Sequence, residues 1–182
     1  MKMLPICLIG SLVMGGLTAV LAADTTNAPS AIGIYDSRAV AYAYFWSAPC
    51  QKQQREKVAA AQAARKAGDI AKLKGYDTEF KAHQAELHRM VFSTAPATVA
   101  MEAVKERVPE IQKQAGVSAL ISKWDEQGLK KFPGAARVDV TDKLVREFIQ
   151  PDEKQSKMIL SIEKSEPISL EKCDELIRKG EI

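Results

Sequence analysis

The sequence predicts an α+β protein in which a small β-body carries a projecting, coiled-coil-like helical hairpin and is followed by a helical C-terminal tail. Three observations predict it. Residues 51–115 are rich in Ala, Lys, Glu and Gln and read as helix almost throughout. On either side, Ile32 to Tyr35 and Val117 to Trp124 are rich in β-branched, aliphatic and aromatic residues, the composition of short strands. After Pro151 come capped segments with apolar residues at helical spacing.

The chain opens with an export signal. Met1 to Ala22 combines Lys2, an apolar run from Leu4 to Leu21 and small residues at Val20 and Ala22, the pattern of a cleavable signal peptide. The expected location is therefore the periplasm. Cleavage would remove one of 26 Lys and Arg against 23 Asp and Glu, so the processed chain is only weakly basic and its net charge selects no partner. Residues 23–31, with Thr, Asn, Pro and Ser, read as a flexible leader. The domain proper spans 32–150, and a helical extension occupies 151–182.

Ile32 and Ile34 stand on one face of the first strand. Asp36, Ser37 and Arg38 interrupt the apolar run behind them, either as a polar pocket or as a cap and turn with Arg38 paired nearby. Ala39 to Trp46, with Tyr42, Tyr44 and Phe45, suits a short helix on the base of the hairpin. The hairpin itself covers about 50–92. In its second arm Leu73, Tyr76, Phe80, His83, Leu87 and Met90 alternate by three and four, which lines one stripe of a helix. The first arm is Ala-rich from Val58 to Ala67 and lets that stripe approach closely. Gly68 supplies the left-handed stop between the arms, and Asp69 caps the second.

A third helix is expected after Pro96, kinked at Pro109 and ended by Gly116. Val117 to Trp124 then predicts a strand, and Leu129 to Phe132 could pair back on it as a hairpin. Val138 and Val140 form a short extended piece leading to Thr141 as an N-cap for a helix over 142–150. Asp152 to Lys164 reads as helix, with strand as the alternative around Met158 to Ile162. Ser169 caps a last helix.

No catalytic chemistry is visible. His83 and His88 are five apart, about 140° round a helix, so one metal ion cannot use both. There is no G-x-S-x-G elbow, phosphate-binding glycine loop or paired-cysteine metal motif. The expectation is a non-enzyme with no cofactor and no metal. Nucleic acid is not an expected partner of an exported chain whose basic stretch lacks aromatic interleaving. Cys50 and Cys173 remain after processing; they are candidates for a disulfide tying the hairpin to the tail, for two free thiols, or for an intermolecular bond.

The order of elements, with "IGIYDSRAVA" early and "VAMEAVKERVPEIQKQAG", "VSALISKW" and "VDVTDKLVREF" later, resembles the Skp (OmpH-like) family of periplasmic chaperones. That resemblance implies a small β-body that associates into a homo-oligomer, a trimer in the family. It also implies arms that enclose unfolded outer-membrane proteins. The function expected is an ATP-independent holdase; a structural or adaptor protein binding one envelope partner through its helices is the alternative. The candidate client contacts are Lys52, Arg55, Lys57, Arg65 and Lys66 on the first arm. The candidate oligomer strands carry Ile32, Ile34, Leu120 and Ile121, because short strands leave edges that are usually covered or paired.

Overall fold

The computed structural model describes residues 31–182, so the expected signal segment 1–22 and almost all of the leader lie outside the described residues. The elements run β1 (Ala31–Tyr35), α1 (Ser37–Trp46), α2 (Ala48–Lys66), α3 (Ile70–Phe92) and α4 (Thr98–Ala103). A 3-10 turn (Lys105–Arg107) leads into α5 (Val108–Ala115), β2 (Leu120–Ser122), α6 (Glu126–Lys130) and β3 (Ala136–Asp139). Then come α7 (Thr141–Arg146), α8 (Glu153–Lys164) and α9 (Leu170–Lys179). The result is a mixed fold, predominantly helical, around a three-stranded parallel sheet in the order β2-β1-β3.

The parallel pairing corrects two expectations. Leu129 to Phe132 is not a returning strand: Asp125 accepts a hydrogen bond from the Gly128 N–H (2.8 Å) and caps α6 instead. The third strand is β3, aligned with β1 so that Ile34 stands opposite Ile121 on one side and Asp139 on the other. Because β1 is central and both its edges are paired, Ile32 and Ile34 cannot accept another chain's strand. Among the described residues, β2, with Leu120 and Ile121, and β3 are the edge strands.

Close packing at the middle of this sheet depends on Gly33. A methyl group added there would lie 2.7 Å from Leu120 Cδ2 and 3.2 Å from a γ-methyl of both Val117 and Val140. Leu120 can move its tip, but the two valines are buried and stiff at χ1. Gly33→Ala should therefore destabilise the protein by about 1 to 3 kcal/mol. An unchanged denaturant midpoint would show that the sheet relaxes freely.

The hub of the helical layers is α1, with seven of its ten residues buried. Its Ala39, Ala41 and Ala43 are 0% exposed, and the absence of bulk there lets α3, α7 and α8 pack against it. The main apolar cluster joins Tyr35, Val40 and Phe45 to Met90, Val91, Val104, Ile111 and Leu144; a smaller one joins Ala39 and Ala43 to Val145 and Ile159.

Local signals account for most boundaries. Gly68 has φ 70°, and the Asp69 carboxylate accepts from the Lys72 N–H, as the turn chemistry predicts. The helix after Pro96 breaks at Val104, ahead of Pro109, which sits in the first turn of α5 where its missing N–H costs no bond. Thr141 is not an N-cap. Its hydroxyl accepts instead from the Asp36 N–H (3.0 Å), and α7 ends at Arg146, earlier than the composition predicts. In the extension, Asp152 and Gln155 form a reciprocal capping box, and Ser169 caps α9.

Candidate functional site

Two regions gather the polar residues that the sequence singles out. The first is the α2–α3 pair. At 1.5 Å per residue its helices of 19 and 23 residues are roughly 28 and 35 Å long. They run antiparallel, with Lys57 of α2 bridging Glu79 of α3 at 3.3 Å. The less exposed positions recur by heptad steps in both: Cys50, Gln54, Lys57, Ala61 and Ala64 in α2, and the six stripe residues from Leu73 to Met90 in α3. Only Cys50 and Ala64 of α2, and Met90 and Val91 of α3, are fully buried. Phe45 packs edge-on against His83, and burial pushes the His83 imidazole below its usual pKa. His83 thus packs in the seam against Phe45. Among the described residues no cluster could hold a metal ion.

The outer face of α2 is open. Lys52, Arg55, Ala59, Gln62 and Lys66 repeat by three and four along it and are exposed, with Arg65 beside them. Lys52 lies 3.9 Å from Glu56 and Lys57 leans toward α3, while Arg55, Arg65 and Lys66 have no ion-pair partner among the described residues. With five Lys and Arg against one Glu, α2 is the basic side of a pair whose other helix is nearly balanced. The five candidate contacts therefore share one helix, and four of them stand free of the seam.

The second region is the buried network at the end of β1. Asp36 and Arg38 are each 1% exposed. Asp36 caps α1 by accepting from the Arg38 N–H (3.0 Å), and its carboxylate takes both Nε–H (3.1 Å) and Nη2–H (2.8 Å) of Arg38. The Arg38 Nη1–H donates to the Ser165 carbonyl (2.9 Å), and the guanidinium lies over the Trp124 ring, 5.0 Å from its centroid. The Ser37 hydroxyl donates to the Ala95 carbonyl at 3.1 Å. The cluster is thus both cap and buried pair, and Arg38 and Ser165 also line a cavity of about 410 Å³ walled by Phe92, Ile162 and Leu176. The cluster ties β1 to β2, to the segment before α4 and to the C-terminal extension.

Carboxylates nearby are tuned by the same packing. Burial pushes Asp139 up, but bonds from Lys123 and Thr141 outweigh it and hold the group below the usual carboxylate range. Glu163 is pushed up, first by burial and then by Asp139, Asp36 and Asp142, with Lys123 opposing.

Sequence reasoning found Asp36 and Arg38 but missed Trp124, Thr141 and Ser165, which join them from up to 127 positions away. No local pattern marks such partners. Cys50 and Cys173 are both buried free thiols, so the candidate disulfide is not formed. Cys50 belongs to the main apolar cluster, whereas Cys173 is buried on α9 outside it. Burial raises the pKa of both thiols and keeps them protonated.

No protein-family model, curated protein or solved structure matches the chain. Among the described residues no helix is long and apolar enough to cross a membrane.

Proposed function

We propose that the protein is an exported holdase of the Skp-like kind, which keeps unfolded outer-membrane β-barrels from aggregating without ATP and without chemistry. The observation that carries this reading is the α2–α3 arm. Two long helices contribute only four fully buried residues, so most of the arm is surface, basic and Ala-patched on one side. A surface of that kind offers many weak contacts to an extended chain. The seam spacing in both helices supports a coiled-coil-like arm. The homo-oligomer, a trimer by resemblance, would form through the edge strands β2 or β3 rather than through β1.

The adaptor reading has its own support. Helix α9 packs along α3, Arg89 pairs with Asp174, and Ile168 bonds to Phe92 and Thr94 (3.0 and 3.2 Å), which occupies the base of the arm. An arm partly covered in this way leaves less room for varied clients and more for one partner.

Aggregation of several unrelated unfolded β-barrel proteins distinguishes the two. The wild type should delay all of them. Changing Lys52, Arg55, Lys57, Arg65 and Lys66 together to Gln should weaken the delay at low salt and matter less as salt rises, since exposed charges are screened within about 8 Å at physiological ionic strength. Wild type indistinguishable from buffer would remove the holdase reading and leave the adaptor one.

A further inference from the structure

Beyond Ser165 the chain is tied to the body by few and weak contacts. The buried Arg38 guanidinium holds Ser165 by its carbonyl (2.9 Å) and hydroxyl (3.3 Å), so that residue stays with the body. Ser165 and Ser169 both have extended backbone, and Pro167 between them has no N–H to give. The strap they bound is joined to the end of α3 through Ile168. Its N–H donates to the Phe92 carbonyl (3.0 Å), and its carbonyl accepts from the Thr94 N–H (3.2 Å). Of the ten residues of α9 only Cys173 is fully buried. No residue of the strap or of α9 belongs to either apolar cluster of the body. Arg89 and Asp174 pair across the joint, but their side chains are 41% and 42% exposed, where an ion pair contributes little.

The joint is also unfilled. The cavity of about 410 Å³ lies between Ile168 and Leu176 on the side of the extension and Val91, Phe92, Met158 and Ile162 on the side of the body. Side chains facing such a gap lose the dispersion contacts that a filled joint would give them. A ten-residue helix is too short to persist alone, so α9 released from α3 unfolds. What its release uncovers is apolar. Phe92 and Met158 are already 44% and 45% exposed, with Val91 and Ile162 buried behind them. Among the described residues, the other exposed large apolar side chains of the α2–α3 arm are Val58 and Ile70. The apolar surface that holding an unfolded chain requires therefore sits chiefly under α9.

We propose that α9 with its strap is a hinged cover, which undocks beyond Ser165 while the body stays folded and, when closed, withholds the apolar groove at the base of the arm from an unfolded chain. The withholding rests on the holdase reading; the undocking does not.

The two thiols read the opening in the full chain. Both are free and buried, but Cys50 sits in the main cluster and Cys173 on the docked face of α9. Pulses of iodoacetamide, followed by mass measurement of the two cysteine peptides, should show Cys173 modified at least about tenfold faster than Cys50. Exposure alone predicts the reverse order, at 0% for Cys173 against 7% for Cys50. Leu176→Ala shortens a half-buried side chain of the cover; it should speed Cys173 about five- to tenfold and leave Cys50 unchanged. Equal rates in the wild type, or a variant that speeds both thiols alike, would show that α9 opens only with the whole fold and would overturn the proposal. With an unfolded β-barrel protein present, Cys173 should be modified faster still, and Leu176→Ala should delay aggregation at a lower protein concentration than wild type. A variant that opens but holds the barrel no better would overturn the withholding of the groove. Wild type and variant both failing to hold any barrel would instead remove the holdase reading, and the thiol rates would then decide the cover alone.

Discussion

Arg38→Ala should destabilise the protein by about 3 to 5 kcal/mol, the cost of leaving one member of a buried ion pair without the other. Asp36 would keep only the Arg38 backbone N–H and the more distant Trp124 indole N–H (3.4 Å) as donors to a carboxylate shut away from water. The Ser165 carbonyl would lose its guanidinium donor at the same time, so the link between α8 and α9 should loosen with the core. The pair itself is not a large net source of stability, because desolvating both charges offsets most of their attraction. Asp36→Leu with Arg38→Met should therefore recover much of the loss, less about 1 kcal/mol for the missing cap of α1. Urea denaturation of the single and double variants checks both statements. A single variant within 1 kcal/mol of wild type would mean that water reaches Asp36.

Changing Leu73, Phe80 and Leu87 together to Ser should cost about 2 to 4 kcal/mol, taking each half-buried side chain at about half the 1.5 to 3 kcal/mol of full burial. The loss should be local. All three lie on the stripe that faces α2, and only Leu87, nearest the base, also packs against the main cluster; α1, the sheet and α7 are held chiefly by the buried residues around Val40, Leu144 and Val145. Circular dichroism should show a large fall in helix, and the Trp124 indole signal should keep its native position. Unchanged helicity would mean that α2 and α3 are stable without their seam.

What was legible in the sequence follows the range of the forces involved. Gly68 and Asp69, Asp152 and Ser169 act within four residues, and each ends or starts a helix where its chemistry predicts; the Gln155 side chain that completes a capping box with Asp152 was not singled out. The stripe from Leu73 to Met90 was equally readable, because helix periodicity needs no distant partner. Strand pairing was not. Nothing in Val117 to Trp124 specifies whether its neighbour is β1 or the next segment, and Asp125 with Gly128 turned the expected returning strand into a short helix. The same limit hid the candidate site's surroundings. Asp36 and Arg38 stood out as polar residues in an apolar run, while Trp124, Thr141 and Ser165 became their partners only through tertiary packing. Thr141 shows the competition directly: its hydroxyl went to the Asp36 N–H and not to its own helix.

In the proposed function the α2–α3 arm binds the unfolded chain and the sheet with its helices supports the arm. Hydrogen exchange of the protein with and without an unfolded outer-membrane β-barrel tests it most directly. Binding should slow exchange along α2 and α3, most on the basic outer face of α2, and leave β1 and α7 unchanged. No protection along the arm when the barrel is held, or protection confined to the strand edges and α7, would rule out the arm as the binding surface.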